Sequence, residues 1–365
     1  MPDSILSQRR RTRVLSLGGV GIGGENPVRV QSMTNTDTRD SEATLEQISR
    51  LAVAGCEIVR LAVPDEDAAV ALRSICDASP VPLIADIHFD SRLAVLAVEA
   101  GIKGLRINPG NIGGPDKVDR VVQAARSAGV PIRIGVNSGS VDKERVRKYG
   151  GPTPAAMVES ALDHVRLLEE RNFFDIKISL KSSSVAGTIA AYRRMSAAVD
   201  YPLHIGVTEA GTAMRGAVKS AVGLGILLAE GIGDTLRVSL TADPVEEMRV
   251  AWEILRSLGL RARGPEIVSC PTCGRTEIGL LELADAVEKR LCHVEDVFSV
   301  AVMGCVVNGP GEAREADIGV AGGRDSGLIF RKGDIVRKVR GRSELLPAFM
   351  DELEKFLQER RSQKG

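Results

Sequence analysis

The feature that most restricts the fold of this chain is an alternation of short apolar runs with longer segments of helical periodicity. Residues 41–54 are typical of the longer segments, because Leu45, Ile48 and Leu51 recur at the spacing of one helix face. Candidate strands begin near Val28, Ile58, Leu83, Leu105, Ile132, Ile176, Leu203 and Leu236. Eight strand–helix units in about 230 residues predict an α/β fold of the (β/α)8 barrel type, for which a doubly wound open sheet is the alternative.

The alternation ends at a short Gly/Pro-containing segment, residues 258–265, which is predicted to be a linker. The remaining residues, 266–365, have the pattern of a small α/β domain that closes with an amphipathic helix, Ser343 to Glu359. A chain of 365 residues is long enough for one large domain and one smaller domain. We therefore predict a TIM-barrel domain over 1–260 and a second domain over 266–365.

The charge balance narrows the choice of partners. The 48 basic and 48 acidic residues give a net charge of zero, so neither nucleic acid nor an acidic membrane is predicted as a partner. No apolar run approaches the roughly 18 residues of a membrane span. The basic segment Arg9 to Arg13 leads into a Gly-rich β-hairpin pattern and not into a cleavage site. We therefore expect a cytoplasmic protein whose six cysteines are thiols or metal ligands.

Five of the candidate strands share a local pattern of an apolar, a basic, an apolar and then a small or polar residue. They are Val59-Arg60-Leu61-Ala62, Leu105-Arg106-Ile107-Asn108, Ile132-Arg133-Ile134-Gly135, Ile176-Lys177-Ile178-Ser179 and Leu236-Arg237-Val238-Ser239. Side chains of a strand alternate between its two faces, so the basic and the small side chains share one face. Because the apolar set must face the helices, the cations are predicted to face the barrel axis, where barrel enzymes bind substrates.

The cations outnumber the acids that could neutralise them inside the barrel. Asp86 and Glu209 are the candidate acids, and two carboxylates cannot balance five cations. An unpaired buried charge costs on the order of several kcal/mol. Phosphates match the fork of an arginine well, so the surplus predicts a phosphate or diphosphate ligand. Structural ion pairing is the alternative.

Other polar residues fall at the ends of the predicted strands. The candidates for contact with a ligand are Asp86, His88, Asn108, Asn137, His204 and Ser239. Glu209 and His204 are the candidate proton carriers, because both kinds of side chain exchange protons in enzymes. A single histidine in a strand is more often a satisfied core residue, but His88 and His204 share the cationic face.

Three cysteines in the second domain have the spacing of metal ligands. Cys270 and Cys273 form a C-x-x-C turn that holds two thiolates side by side, and Cys305 lies on a Gly/Pro-rich turn. A zinc ribbon needs a second pair, for which only Cys292 and His293 remain. On spacing alone, zinc, an iron–sulfur cluster and a redox dithiol all stay open. Zinc would make the chain a non-redox barrel enzyme or a zinc-ribbon binding protein.

Six motifs taken together point to one family. They are Val30-Gln31-Ser32-Met33-Thr34-Asn35-Thr36, Arg106-Ile107-Asn108-Pro109-Gly110-Asn111-Ile112-Gly113, Gly206-Val207-Thr208-Glu209-Ala210-Gly211, Gly233-Asp234-Thr235-Leu236-Arg237-Val238-Ser239, Cys270-Pro271-Thr272-Cys273-Gly274-Arg275 and Met303-Gly304-Cys305-Val306-Val307-Asn308-Gly309-Pro310-Gly311-Glu312. Over nearly its whole length the chain resembles bacterial 4-hydroxy-3-methylbut-2-en-1-yl diphosphate synthases of the non-mevalonate isoprenoid pathway. The resemblance implies reduction of 2-C-methyl-D-erythritol 2,4-cyclodiphosphate, with ring opening and loss of water, by electrons from flavodoxin or ferredoxin.

The resemblance also implies roles for individual residues. The implied ligands of a [4Fe-4S] cluster are Cys270, Cys273, Cys305 and Glu312. The implied catalytic residues are Glu209, as proton donor, and Glu312, because a carboxylate is a weak ligand that can leave the cluster. The barrel cations become contacts of the diphosphate, so 1–260 binds substrate and 266–365 binds the cluster. A head-to-tail homodimer, in which each cluster domain caps the barrel of the other copy, is the implied assembly.

Overall fold

The computed structural model of the protein divides into two compact units, Met1–Arg261 and Ala262–Gly365. The residues that the structure describes are 6–108, 112–305, 311 and 314–363. Within these residues, no helix has the length and apolar character that crossing a membrane requires. Glu312, which has an implied role as ligand and catalytic residue, lies outside the described residues.

A β-hairpin precedes the repeating units of strand and helix. It consists of β1 (Leu15–Leu17) and β2 (Val20–Ile22), which are antiparallel, with Leu15 opposite Ile22. Its buried side chains form a small apolar cluster with Ile58 and Ile84, two residues near the start of barrel strands. The hairpin predicted from the Gly-rich segment is confirmed, and it covers the end of the barrel at which the strands begin.

The first unit is a (β/α)8 barrel, as the alternation of patterns predicts. Its parallel strands are β3 (Arg29–Met33), β4 (Ile58–Ala62), β5 (Leu83–Asp86), β6 (Gly104–Ile107), β7 (Ile132–Asn137), β8 (Ile176–Lys181), β9 (His204–Ile205) and β10 (Thr235–Leu236). They pair in the order β8-β7-β6-β5-β4-β3-β10-β9. A parallel bridge between Ile178 and Leu203 joins β8 to β9 and closes the barrel. Each strand begins within one residue of its predicted start.

Helices follow the strands and enclose the barrel. The described helices of this unit are α1 (Ser41–Val53), α2 (Glu66–Ala78), α3 (Ser91–Glu99), α4 (Pro115–Ala128), α5 (Lys143–Tyr149), α6 (Pro154–Glu169), α7 (Val185–Ala198), α8 (Ala213–Ala229) and α9 (Pro244–Ser257). Asp40, Asp65 and Asp90 cap the first three, because each carboxylate accepts a backbone N–H of the first turn. The inner faces of the helices and the outward-facing strand residues form one continuous core.

The second unit is a mixed five-stranded sheet with helices. Its described elements are β11 (Glu266–Ser269), α10 (Leu280–Leu291), β12 (Ser299–Met303), β13 (Ile318–Gly323), β14 (Ser326–Arg331), β15 (Asp334–Arg340) and α11 (Arg342–Ser362). Strands β11, β12 and β13 are parallel neighbours, and β14 and β15 continue the sheet in antiparallel order. Val300, Val320 and Phe349 belong to the core that joins the sheet to both helices. This matches the predicted small α/β domain.

Candidate active site

The register of the barrel strands sorts their inward-facing side chains into layers of four, each supplied by alternate strands. From the hairpin toward the carboxyl ends of the strands, the layers are Ile58, Gly104, Lys177 and Thr235; Gln31, Ile84, Arg133 and His204; Arg60, Arg106, Ser179 and Arg237; Met33, Asp86, Gly135 and Gly206; and Ala62, Asn108, Lys181 and Ser239. All five predicted cations face the interior. They lie at three different depths, so they do not form a single ring.

In the middle of the barrel, two arginines share one carboxylate. Arg106 Nη1 donates to Asp86 Oδ1 at 3.0 Å, and Arg60 Nε lies 3.6 Å from Asp86 Oδ2. Burial by itself would raise the pKa of Asp86, but the charge of Arg60, with those of its neighbours, holds that pKa well below its usual range. Burial also lowers the pKa of Arg60 to about 10. A Cβ at Gly135 would lie 2.4 Å from Arg106 Nε, so this position leaves room for the guanidinium.

Two cations that lie nearer the start of the strands than Arg106 form no ion pair with a carboxylate of the described residues. Arg133 is 2% exposed and Lys177 is 3% exposed. Among the described residues, Arg133 Nε, Arg133 Nη1 and Lys177 Nζ find no hydrogen-bond partner. Burial lowers the pKa of Lys177 to about 7, and burial followed by the charge of Arg60 holds the pKa of Arg133 well below its ordinary value. Buried donors without partners are costly, and they indicate a place for an anion or for water.

His204 lies in the same layer as Arg133. The residue is fully buried, and its Nδ1 lies 2.8 Å from Thr235 Oγ1, whereas Nε2 has no partner within the described chain. Burial and then the charge of Arg133 hold the pKa of His204 well below its ordinary value. The imidazole is therefore neutral near neutral pH, so it can donate or accept a hydrogen bond but does not supply an imidazolium proton.

Lys181 is a further barrel cation, which the strand pattern missed. It ends β8 and is 7% exposed, two residues beyond Ser179 on the same face as Lys177. Burial and then the charge of Arg133 hold the pKa of Lys181 well below its ordinary value. A Cβ at Gly206 would lie 2.9 Å from Lys181 Nζ, so glycine at that position accommodates the ammonium group. Lys181 could have been predicted from the sequence, because the alternation along β8 puts residues 177, 179 and 181 on one face.

The second buried carboxylate beside the barrel cations is that of Glu247 and not that of Glu209, the other candidate acid. Glu247 lies in the first turn of α9 and is 2% exposed. It accepts hydrogen bonds from Ser32 Oγ at 2.8 Å and from the Leu240 N–H at 3.1 Å, and it lies 3.4 Å from Arg237 Nε. Glu209 is exposed, in the loop after β9, at a φ of 52°. Glu247 comes from a helix, so a strand pattern cannot reveal it.

The remaining predicted ligand contacts are found toward the carboxyl ends of the strands. His88 is half-exposed, and its Nε2 lies 3.0 Å from Arg106 Nη1. Asn108 is 3% exposed and directly follows β6. Asn137 ends β7, where its backbone N–H donates to Ser140 Oγ at 2.9 Å. Ser239 is half-buried. Their contact with a ligand stays a prediction.

The charge count of the barrel interior follows from these positions. Two buried carboxylates of the described residues, those of Asp86 and Glu247, pair with cations of the barrel interior. The cations there are Arg60, Arg106, Arg133, Lys177, Lys181 and Arg237. A surplus of this size in a buried space is stabilised best by a ligand with several negative charges, because each cation then gains a charged hydrogen-bond partner.

In the second unit, the cysteines follow the carboxyl ends of two neighbouring parallel strands. Cys270 directly follows β11, and Cys305 comes two residues after the end of β12. The Gly304 N–H donates to Cys270 Sγ at 3.2 Å. The Glu277 N–H donates to the Gly304 carbonyl at 3.0 Å, which ties the C-x-x-C loop to the end of β12. The backbone N–H of Arg275 and its side chain lower the pKa of Cys273.

The donor set in these loops suits iron or zinc. Thiolates are the preferred ligands of iron–sulfur clusters and of structural zinc, and N–H donors to sulfur stabilise the thiolate form. Within the described part of the chain, no three His, Cys, Asp or Glu side chains come close enough together to hold a metal ion. The cysteines therefore fit such a group by chemistry and by strand position, and their side chains have to turn toward one another to bind it.

The fold and the site define a class of two-unit proteins, in which a barrel with a surplus of buried cations is followed by an α/β unit that presents thiols at its strand ends. Matches to known families make this assignment specific. Residues 12–252 match the GcpE TIM-barrel domain, and residues 266–355 match the GcpE protein C-terminal domain. The chain therefore belongs to the GcpE family, which confirms the family resemblance seen in the motifs.

Relatives of high identity cover essentially the whole chain. The protein of Maridesulfovibrio salexigens is 71% identical over 355 residues, which are 97% of this chain and 99% of the relative. The protein of Nitratidesulfovibrio vulgaris is 67% identical, over 100% of this chain and 94% of its own. The protein of Geobacter sulfurreducens is 62% identical, over 96% of this chain and 99% of its own. Each of the three is named 4-hydroxy-3-methylbut-2-en-1-yl diphosphate synthase (flavodoxin).

Proposed function

We propose that this chain reduces 2-C-methyl-D-erythritol 2,4-cyclodiphosphate to (E)-4-hydroxy-3-methylbut-2-enyl diphosphate in isoprenoid biosynthesis. Two electrons enter the substrate, one ring C–O bond to phosphate breaks, and a hydroxyl group leaves as water after gaining a proton. The observation that carries the proposal is the surplus of buried cations in the barrel, which suits a diphosphate. The names of the relatives supply the reaction and flavodoxin as electron donor. The cytoplasm is the proposed compartment, because thiols stay reduced there.

The barrel side chains bind and orient the cyclic diphosphate in this proposal. Arg106 and Arg237 are the leading contacts, because each pairs with a single carboxylate and keeps further N–H groups for phosphate oxygens. Arg133, Lys177 and Lys181 lie above and below them and supply positive charge without a carboxylate of their own. As the ring opens, negative charge grows on the diphosphate, and these preorganised cations stabilise it.

The cysteine loops are the proposed seat of a [4Fe-4S] cluster, with Cys270, Cys273, Cys305 and Glu312 as ligands. Such a cluster supplies electrons one at a time to the substrate. Two features favour the thiolate form that a cluster would need: the pKa of Cys273 is lowered, and the Gly304 N–H donates to Cys270 Sγ. Glu209 is the proposed proton donor, because it lies in the exposed loop beyond the carboxyl end of β9, where barrel active sites are built.

The chain is proposed to act as a homodimer. Helix α8 supports this with a stripe of exposed apolar side chains at every fourth position, Met214, Val218, Val222 and Ile226. Their exposed fractions run from 77% to 37%, and contiguous apolar surface of this kind is typical of an interface. Val218→Glu should therefore shift the protein toward monomer in sedimentation velocity. Val70→Glu is the control, since Val70 is 73% exposed but lies on α2, away from the stripe. A dimer unaffected by Val218→Glu would contradict this interface.

Anaerobic purification with iron and sulfide analysis tests the proposed function directly. We expect brown protein that turns over the cyclodiphosphate, and we expect Cys305→Ser to lose both the colour and the activity. Cys292→Ser is the matched control, because Cys292 is an exposed cysteine of the same unit outside the ligand motif. Colourless active protein with stoichiometric zinc would contradict the proposal.

Complementation tests whether sites are shared between copies. Glu209→Gln should inactivate the barrel of one variant, and Cys305→Ser should inactivate the cluster unit of the other. Co-expressed in one dimer, the two variants should restore one intact site if a barrel and a cluster unit of different copies work together. Purified heterodimers without any activity would overturn the shared-site assembly.

A further inference from the structure

Cations are concentrated in one stretch of the second unit, residues 324–342. This stretch holds seven Arg and Lys residues and two Asp residues, although the whole chain has 48 of each sign. Two of the seven are paired, since Arg331 Nη2 lies 2.8 Å from Glu359 and Arg337 Nη1 lies 2.9 Å from Asp351. The other five, all exposed and without an ion pair to any described residue, are Arg324, Lys332, Lys338, Arg340 and Arg342.

The register of the sheet places Arg340 at the end of the sheet that carries the cysteines. Met303 is opposite Ala321, so Cys305 is level with Gly323, which is in turn opposite Ser326. Ser326 is opposite Arg340 on the edge strand β15. Three strand spacings, about 14 Å, therefore separate the backbone near Cys305 from that of Arg340.

The two other arginines flank Arg340 at the same end of the sheet. Arg324 lies in the turn between β13 and β14, directly after Gly323. Arg342 begins α11, and its Nη2 would lie 3.9 Å from a Cβ at Gly279, in the loop that follows the C-x-x-C motif. Lys332, in contrast, directly follows β14, and therefore lies at the end of that strand opposite to Arg324. The unpaired arginines thus adjoin the cysteine loops, and we define Arg324, Arg340 and Arg342 as the arginine patch.

Protection of the sheet edge does not account for this patch. Charged side chains on an edge strand oppose pairing with another sheet, and Lys338 on β15 is sufficient for that purpose. Arg324 and Arg342 lie outside the strand, where they cannot block pairing. Exposed guanidinium groups without partners suit carboxylates of another molecule, which they bind as a fork and attract over a distance.

We propose that the arginine patch is the docking surface for an acidic face of the electron-carrier protein. This inference rests on the proposed function, in which a carrier is oxidised and its two electrons reduce the cyclodiphosphate. Docking beside the cysteine loops brings the carrier to the place where its electrons are needed. The attraction is electrostatic, so it acts on the rate of encounter and weakens as salt is added.

Charge reversal with two different reductants tests the docking surface. The variant Arg340→Glu is compared with Lys332→Glu, which makes the same change of charge on an unpaired exposed cation at the other end of the hairpin. Turnover is measured with reduced flavodoxin at low and high salt, and with dithionite as a small reductant that needs no docking surface. We expect Arg340→Glu to lower kcat/KM for flavodoxin about tenfold at low salt, with the deficit shrinking at high salt. Lys332→Glu and all dithionite rates should stay near wild type.

The outcomes separate the docking surface from the reaction itself. Equal effects of Arg340→Glu and Lys332→Glu would overturn the patch as a docking surface while the reaction stands. A loss of dithionite turnover in Arg340→Glu would also overturn it, because the arginine would then serve the fold or the contact between copies. Wild-type protein that turns over with neither reductant would refute the proposed function itself, and the docking proposal with it.

Discussion

The barrel interior and the cysteine loops carry the two parts of the proposed function, and they differ in how far each is assembled without a ligand. Barrel side chains stand on strands, where the register sets their positions, as in the 3.0 Å contact between Arg106 and Asp86. The cysteines follow the strand ends in loops, where Cys273 is exposed. Among the described residues no metal-binding group of three is assembled there. The strands hold the barrel cations in fixed positions without a ligand, whereas the loops do not assemble a metal site from the described residues.

The difference has an energetic counterpart. Unpaired buried cations such as Arg133 and Lys177 destabilise the barrel whenever they are charged and have no anion beside them. Exposed thiols carry no such cost, and a bound metal would add its free energy of binding to the stability of the second unit. The barrel should therefore gain stability from an anion, and the second unit from a metal.

Removing the metal should have the largest effect on activity, and its structural effect should stay in one unit. Metal-free Cys305→Ser is expected to lose all turnover, because no cluster delivers electrons. Hydrogen exchange measured by mass spectrometry should show lost protection in residues 266–305 and unchanged protection in the barrel strands. Equal loss of protection in β3–β8 would contradict the separation of the two units.

Loss of one central cation should weaken substrate binding strongly. Arg106→Ala is expected to lower the affinity for the cyclodiphosphate tenfold or more, because a hydrogen bond to a charged group contributes about 1.5–3 kcal/mol. Arg106→Lys separates charge from geometry, since it keeps the charge and loses the fork. Calorimetry on both variants measures the effect. Wild-type affinity in Arg106→Ala would mean that the barrel cations serve the fold and not the ligand.

A methyl group beside Arg106 should have a smaller effect of the same kind. In Gly135→Ala the new Cβ would lie 2.4 Å from Arg106 Nε, so the guanidinium must move away from its present position. We expect a severalfold loss of affinity, in line with a cost of about 1 kcal/mol, the lower end of the range for overpacking. Gly139→Ala is the control, because a Cβ at Gly139 meets nothing within 4 Å. Equal affinities of these two alanine variants would refute a role for the space at Gly135.

The deepest cation should affect stability more than activity. Burial lowers the pKa of Lys177 to about 7, so its cost to folding is complete below pH 7 and is relieved as pH rises toward the ordinary value for lysine, about 10.5. Lys177→Met should therefore resist urea better than wild type at pH 7, by on the order of a few kcal/mol. The gap should narrow at pH 9.5. A gap that is constant between these pH values would contradict the lowered pKa of Lys177.

Pattern reading predicts the barrel well, because each strand start depends on local apolar runs. It also predicts that Arg60, Arg106 and Lys177 face inward, since alternation along a strand is a local property. Their different depths depend on the stagger between strands, which no single strand reveals. Glu247 reaches Arg237 from a helix, and Cys273 and Cys305 lie on loops, where no alternation along a strand sets the direction of a side chain. These features require three-dimensional packing or a bound group.

In the proposed function, the barrel binds the cyclic diphosphate through its surplus cations, independently of the metal centre. Calorimetric titration of the cyclodiphosphate into metal-free Cys305→Ser, with and without Arg106→Ala, tests it most directly. We expect saturable binding to Cys305→Ser, weakened tenfold or more by the added Arg106→Ala change. No binding to folded Cys305→Ser, or equal binding by both proteins, would contradict it.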